Sequence, residues 1–259
     1  MAFSNIERHY NKHQEDKRLQ WRHGIVEYET TMYHLHRFLK PGMRILDIGA
    51  GTGRYTSALM KEGYEVKAVE LVQHNIDVFI KREPTADVVK GDARDMPFLE
   101  TGWADVTLLL GPLYHLFGDE EKLKALNEAK RVTRPGGLIF VAYLMNEYSI
   151  LSYCFDEERI CDLREKGLVD DDYHLHVQEG ELYDYVRMED VNRLNDMAGL
   201  ERITAFSPDG AADYMRTRLN YMSTESFTHF IEYQKCISER PELLGAGSHI
   251  VDVVKRIKN

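Results

Sequence analysis

Between residues 44 and 143 the chain alternates short apolar runs with longer amphipathic ones, and no other feature restricts its fold as much. Arg44–Ile48, Glu65–Val69, Asp87–Lys90, Ala104–Leu110 and Leu138–Tyr143 read as strands. Tyr55–Glu62, Leu71–Arg82 and Glu120–Thr133 read as helices, closed by Gly63, by Pro84 and by Pro135-Gly136-Gly137. Near-continuous apolar strands separated by helices need a parallel sheet covered on both faces. The expectation is therefore a doubly wound α/β fold with right-handed crossovers. Ligands of such sheets bind beyond the carboxyl ends of the strands, where the strand order switches. Asp47, Gly49, Glu70, Asp92 and Gly111 all lie just past expected strand ends.

The flanks are less regular. Leu19, Trp21, Ile25, Val26, Tyr28, Met32, Tyr33, Leu35, Phe38 and Leu39 recur at helical spacings, so residues 3–40 read as a helical cap. Past the fifth strand, residues 147–167 look helical. Tyr173–Val177 and Glu181–Tyr185 alternate around Glu179-Gly180, which predicts a hairpin. Glu189–Ala198 and Thr224–Arg240 read as helices, and Leu200–Phe206 and His249–Ile257 as strands. Residues 145–188 are then an insertion, expected as a lid on the main domain at 41–259.

Composition excludes several classes. With 259 residues, 43% of them hydrophobic, the chain can bury one large core. No apolar run approaches the roughly 18 residues of a membrane span. The polar start MAFSNIERHYNKHQEDKR has no apolar core of a secretory signal, so a cytoplasmic protein is expected. Cys154, Cys161 and Cys236 lack CxxC spacing and read as reduced thiols. The net charge is −10, and it is unevenly placed: residues 1–144 hold 20 acids and 20 bases, residues 145–259 hold 23 and 13. Such a balance lacks the basic footprint of a nucleic-acid binder. It reads as a solvated acidic surface, with an acidic lid over a cationic or amine substrate as the sharper alternative.

The stretch ILDIGAGTGRY, residues 45–55, places an acid at the end of an apolar run and glycine at every second position after it. Glycine there permits positive φ and lets a ligand touch the main chain; the helix beginning near Arg54 would turn free amides toward that ligand. A nicotinamide dinucleotide and S-adenosylmethionine (SAM) both suit this design. The dinucleotide fingerprint wants a third small residue where Arg54 stands, and a guanidinium there would crowd the pyrophosphate.

ILDIGAGTGRY, VKAVE (66–70), GDARDMPF (91–98), ADVTLLLGPLYHL (104–116) and RVTRPGGLIFVAYL (131–144) resemble, in order and spacing, the motifs of class I SAM-dependent methyltransferases of the small-molecule branch. The resemblance covers residues 43–144 and implies a seven-stranded sheet with a reversed last hairpin. It also implies roles by position. Gly49, Ala50 and Gly51 would line the methionine half of SAM, and Asp47 would anchor the loop and the ligand's ammonium. Glu70 would accept both ribose hydroxyls, Asp92 the adenine amine, with Leu71 and Ala93 near the base. Leu110 and Gly111 would border the transfer channel.

Tyr114 and His115 follow the fourth strand and are the candidate catalytic residues, His115 as a proton acceptor or only as a shaper of the pocket. Tyr10, Arg18, Trp21 and Arg22 are candidates for a helix closing over SAM, one arginine on its carboxylate, or else for a solvated helix end. No metal is expected. His34 and His36 cannot face one ion from a helix, His9 and His13 lack a matching acid, and His174 and His176 share a face without a third ligand. The expected partner is a small molecule, without nucleic acid or membrane, and the state a monomer or homodimer. The alternatives are a methyltransferase of RNA or protein, disfavoured because LGPLYH stands where an Asn/Asp-Pro-Pro-Tyr pattern would, a non-catalytic SAM-binding module, and a nicotinamide oxidoreductase.

Overall fold

The run Arg44–Ile48 (β1) occupies the centre of the sheet because its alternate residues find a covered face on each side. Ile45 joins an apolar cluster with Leu59, Val106, Leu108 and Phe140. Leu46 and Ile48 join the opposite one with Leu126, Ala129, Val191 and Leu194. The structure is a computed structural model describing residues 6, 21–177 and 181–257. Helix α1 (Arg22–His36) precedes β1. It is followed by α2 (Arg54–Lys61), β2 (Glu65–Glu70), α3 (Gln73–Arg82), β3 (Asp87–Lys90), β4 (Ala104–Leu109), α4 (Gly118–Val132) and β5 (Thr133–Leu144). Then come α5 (Asn146–Ser149), a π-helical turn over Ile150–Phe155, α6 (Ile160–Glu165), α7 (Met188–Ala198), β6 (Leu200–Phe206), α8 (Arg216–Asn220), α9 (Thr224–Ile237) and β7 (His249–Arg256).

The seven strands form one sheet in the order β3-β2-β1-β4-β5-β7-β6. Only β7 runs antiparallel to its neighbours. This is the expected α/β architecture with helices on both faces. The strand order reverses between β1 and β4, so their carboxyl ends leave a crevice. Reversal of β7 has a second effect: its first residue, His249, pairs with Leu144 at the end of β5. The start of β7 thus reaches the same edge of the sheet as the crevice.

The segment after β5 departs from expectation. The helix read over residues 147–167 is broken into α5, the π turn and α6. The hairpin is absent among the described residues; its turn at 178–180 lies outside them. Instead Leu175 bridges Val169, and Val186 bridges Met145. Asp184 N–H donates to Tyr114 O at 2.8 Å, and Val186 N–H to Leu144 O at 2.9 Å. Extended backbone takes the partner that tertiary packing offers, here the edge of β5 and the turn after β4. The segment also builds its own small core from Ile150, Cys154, Leu163, Val169 and Leu175. Its acids Asp156, Glu157, Glu158, Asp171 and Asp172 are exposed. No helix among the described residues is long and apolar enough to cross a membrane.

Two buried polar groups of the sheet contrast. Asp252 on β7 is fully buried but accepts from Arg202 Nε at 2.6 Å, Arg202 Nη2 at 2.8 Å and Asn195 Nδ2 at 2.6 Å. The Tyr143 hydroxyl on β5 is buried and finds no hydrogen-bond partner among the described residues. An unsatisfied buried hydroxyl costs about 1–3 kcal/mol. Tyr143→Phe is therefore expected to stabilise the fold by about 1 kcal/mol, read as a higher urea midpoint. A lower midpoint would mean that the hydroxyl has a partner.

Candidate active site

The crevice is lined by the loops after β1, β2, β3 and β4 and by α2, and the space over it, open solvent included, is about 1090 Å³. Its first wall is the loop after β1. Gly49 and Gly51 have φ of 75° and 57°, and Gly53, the residue before α2, has φ 79°. A Cβ on Gly49 would lie 2.7 Å from Pro112 Cδ, so the loops after β1 and β4 meet only because that side chain is missing.

The amides of the loop itself are directed inward. Gly49 and Ala50 N–H both donate to Val69 O, at 2.8 and 3.1 Å. Gly51 N–H donates to Glu70 Oε2 at 2.8 Å. Thr56 in the first turn of α2 gives its backbone N–H and its hydroxyl, the latter at 2.6 Å, to Asp47. Asp47 therefore ties the end of β1 to the start of α2. It is 2% exposed, and burial raises its carboxyl to about 6; the Glu70 charge pushes the same way and the Thr56 hydrogen bonds oppose.

Glu70 ends β2 at 5% exposure. One oxygen takes Gly51 N–H; the other takes Val72 N–H at 2.8 Å and Asn75 Nδ2 at 3.2 Å. Burial raises its pKa, and the Val72, Gly51 and Asn75 hydrogen bonds pull it down. Leu71 N–H is a fourth donor; a carboxylate offers about four lone-pair sites, so a ligand hydroxyl would share an oxygen with one of these donors. Leu71, Ala93 and Asp92 form the far end of the crevice. Both oxygens of Asp92 already receive Arg94, Nη2 at 2.7 Å and Nε at 3.1 Å.

Leu110, Gly111, Tyr114 and His115 form the opposite wall. Tyr114 and His115 sit on a 3₁₀ turn opened by Pro112. His115 Nδ1–H donates to Leu182 O at 2.9 Å, which fixes the ring against the segment after β5. The chain thus brings the ten candidate cofactor residues and the two candidate catalytic residues to the border of one crevice. Tyr10, Arg18, His9 and His13 lie outside the described residues. Trp21 is exposed, and Arg22 Nη1 donates to Leu219 O, away from the crevice. His34 is buried against Phe206, with Nε2 on Ser238 and burial lowering its pKa to about 4.

Two groups in or beside the crevice were missed. Arg54, read from the sequence only as an obstacle to a pyrophosphate, stacks its guanidinium 4.0 Å over the Tyr28 ring and lines the crevice. Its Nη1 is buried without a hydrogen-bond partner among the described residues. Glu27 of α1 lines the same wall. The signal for Arg54 was its place on the first turn of the helix after a glycine loop.

Crevice and sheet order together define the class I methyltransferase fold. Comparison with known proteins agrees. Residues 46–141 match the family model described as "Methyltransferase domain". The chain is 37% identical over 102 residues to a demethylmenaquinone methyltransferase of Renibacterium salmoninarum, a match covering 39% of this chain and 41% of that protein. A demethylmenaquinone methyltransferase of Lysinibacillus sphaericus is 32% identical over 110 residues, 40% and 45% of the two chains. The chain thus spans less than half the length of these curated relatives. Over whole chains the fold is similar to a SAM-dependent methyltransferase from Thermotoga maritima (TM-score 0.58, 20% identity, 98% of this chain and 99% of that one). It is also similar to geranyl diphosphate C-methyltransferase from Streptomyces coelicolor, crystallised with S-adenosyl-L-homocysteine (TM-score 0.55, 14% identity, 89% and 80%).

Proposed function

We propose that this chain transfers the methyl group of SAM to a small-molecule acceptor and releases S-adenosyl-L-homocysteine (SAH). The observation that carries the proposal is the internal use of the loop amides. With Gly49, Ala50 and Gly51 N–H spent on Val69 and Glu70, the first loop offers little to a pyrophosphate. A carboxylate at the tip of β2 suits a ribose with free hydroxyls and repels a 2′-phosphate. A cationic nucleoside with an amino-acid arm suits the same groups. Asp47 takes the ammonium, the Arg54 guanidinium the carboxylate, and Glu70 a ribose hydroxyl. Gly49, Ala50 and Gly51 give the arm room, Leu71, Asp92 and Ala93 border the base, and Leu110 and Gly111 flank the reactive centre.

The sulfonium of bound SAM supplies an electrophilic methyl group. The chain's part is to hold the acceptor in line at about 3–3.5 Å and to keep water out. Tyr114 and His115 are the residues on the acceptor's side. The segment at 145–188, bonded to Tyr114 and His115 through Asp184 and Leu182, serves as the lid, and α1 as a cap; the rest of the cap read over residues 1–40, before residue 21 and apart from Ile6, lies outside the described residues. The demethylmenaquinone relatives support a small-molecule acceptor. A cytoplasmic monomer or homodimer completes the proposal.

Isothermal titration tests it. SAM and SAH should each bind at one site, and NADH should not; absence of heat with both sulfur compounds would remove the proposal. Arg54 gives a sharper arm. Arg54→Met keeps an unbranched apolar side chain beside Tyr28 while removing the guanidinium that stacks on it, and should weaken SAH about 10- to 100-fold, the worth of a charge-assisted hydrogen bond. Methylthioadenosine lacks the amino-acid arm and should bind both proteins equally.

A further inference from the structure

The turn that carries Tyr114 and His115 is fastened from behind by a buried charge. Lys122, in the second turn of α4, is 2% exposed, and no other lysine or arginine among the described residues is buried. It stands on the apolar face of the helix, in line with Ala125, Leu126 and Ala129. Its ammonium donates to Leu116 O at 2.6 Å and to Asp184 Oδ2. Asp184 belongs to the segment after β5. The same Oδ2 accepts Gly118 N–H at the start of α4, at 3.2 Å, and Oδ1 accepts Tyr185 N–H at 3.1 Å. Around this pair the segment grips the turn. Asp184 N–H donates to Tyr114 O at 2.8 Å, and His115 Nδ1–H donates to Leu182 O at 2.9 Å. The Tyr183 ring lies between, its centroid 5.9 Å from that of Tyr114 and 5.2 Å from that of His115. A buried ion pair stabilises a fold little better than apolar groups of the same shape, because both ions leave water. A methionine would suit the apolar face of α4 at least as well, so the charge at position 122 has a use other than stability.

Resting on the methyl-transfer function proposed above, we infer that Lys122 and Asp184 are positioning residues of the acceptor's side of the crevice. Neither borders the crevice; they act through Tyr114 and His115, which do. An ammonium offers only donors and a carboxylate only acceptors. The pair is therefore directional where an apolar contact is not: the carboxylate has to stand between Lys122 Nζ and Gly118 N–H. That fixes the register of residues 182–185 along the turn. A slip of one residue would bring Tyr183 or Tyr185 to the ammonium in place of the carboxylate. It would also carry Leu182 O away from the His115 ring. Leu116 O, held on the same ammonium, fixes the turn from its far end. The lid and this wall are thus one unit, and the two rings on the acceptor's side take their places from a pair that the ligand never meets. Asp47, Arg54 and Glu70, on the cofactor's side, stand on other elements and share no hydrogen bond with the pair.

The test compares Lys122→Met with the neutral pair Lys122→Met/Asp184→Asn, each in the full chain, with and without SAH. The single variant leaves a carboxylate without its cation; the double variant keeps the shapes and leaves no unpaired charge. Its urea midpoint should therefore lie closer to wild type than that of the single variant. Positioning should not recover with it. Solvent exchange of the Asp184 amide, followed by NMR, should quicken about 10²-fold in both variants, while the amides of β1 keep their wild-type rates. The His115 Nδ1–H resonance, assigned by its absence in His115→Gln, should be visible in the wild type and lost to exchange in both variants. SAH should bind all three proteins within about twofold. Wild-type exchange at Asp184 with a persistent His115 resonance in the double variant would overturn the proposal, since the pair would then serve stability alone. A loss of SAH affinity of about tenfold or more in the double variant would also overturn it, by tying the pair to the cofactor. Absence of SAH binding by the wild type would instead remove the methyl-transfer function, and the exchange rates would still decide whether the pair holds the wall.

Discussion

Asp47→Asn is expected to raise the melting temperature of the ligand-free protein by a few degrees while weakening SAH about a hundredfold. Both effects come from one buried charge. Burial lifts the Asp47 carboxyl from 3.8 to about 6. The folded chain then holds this proton more tightly than the unfolded one. Between about pH 3.8 and 6 the ligand-free protein loses stability as pH rises, and by pH 7 the loss is complete. Asparagine removes that loss and keeps an acceptor for Thr56 N–H. Binding has the opposite sign, because a bound ammonium favours the ionised carboxylate. Affinity should be flat above about pH 6 and fall roughly tenfold per unit below it, a slope the variant lacks. Thermal melts and SAH titrations between pH 5 and 8 measure both. A variant less stable than wild type that still binds SAH normally would show that Asp47 is only a strut between β1 and α2.

Gly53→Ala should cost about 3 kcal/mol or more of folding stability, a large part of the 5–15 kcal/mol a domain has. At φ 79° any side chain is strained, and here the added Cβ would lie 2.2 Å from Phe79 Cε2. Phe79 is fully buried on α3 and has no space to turn away. Gly53 is thus the close-packing glycine that joins α2 to α3. Gly51→Ala is the control: φ is 57°, but nothing lies within 4 Å of the added carbon, so only about 1 kcal/mol should be lost. Urea titrations of the two variants give the comparison, and Phe79→Leu should recover part of the Gly53→Ala loss. Equal losses at the two glycines would show that the Phe79 contact does not matter.

The two variants separate what was legible from what was not. The strands Arg44–Ile48, Asp87–Lys90 and Leu200–Phe206 have the bounds their apolar runs predict. β1 announces itself by a run of covered apolar side chains, and the exposed edge strand β3 by two adjacent valines between the breaks at Pro84 and Gly91. The positions past the strand ends were legible for the same reason. The purpose of each glycine was not. Gly53 looked like part of a ligand loop, and only the approach of Phe79, from a helix one crossover away, gives it a packing role. Nor was the inward turn of the Gly49, Ala50 and Gly51 amides legible: Val69 O and Glu70 lie under the loop, a proximity that follows from β2 lying beside β1.

By itself the sequence determined the alternation of strands and helices, the sheet class and the carboxylates at the strand tips, since period, turn chemistry and strand ends are local properties. Tertiary structure alone decided which distant groups share the crevice. Arg54 is held by Tyr28 of α1, and Leu182, Asp184 and Val186 bond to the turn after β4 and the end of β5 rather than pairing in a hairpin. Asp209 and His249, forty positions apart, meet because β7 runs backward between β5 and β6. Such meetings depend on strand order and direction, which no short stretch of chain encodes.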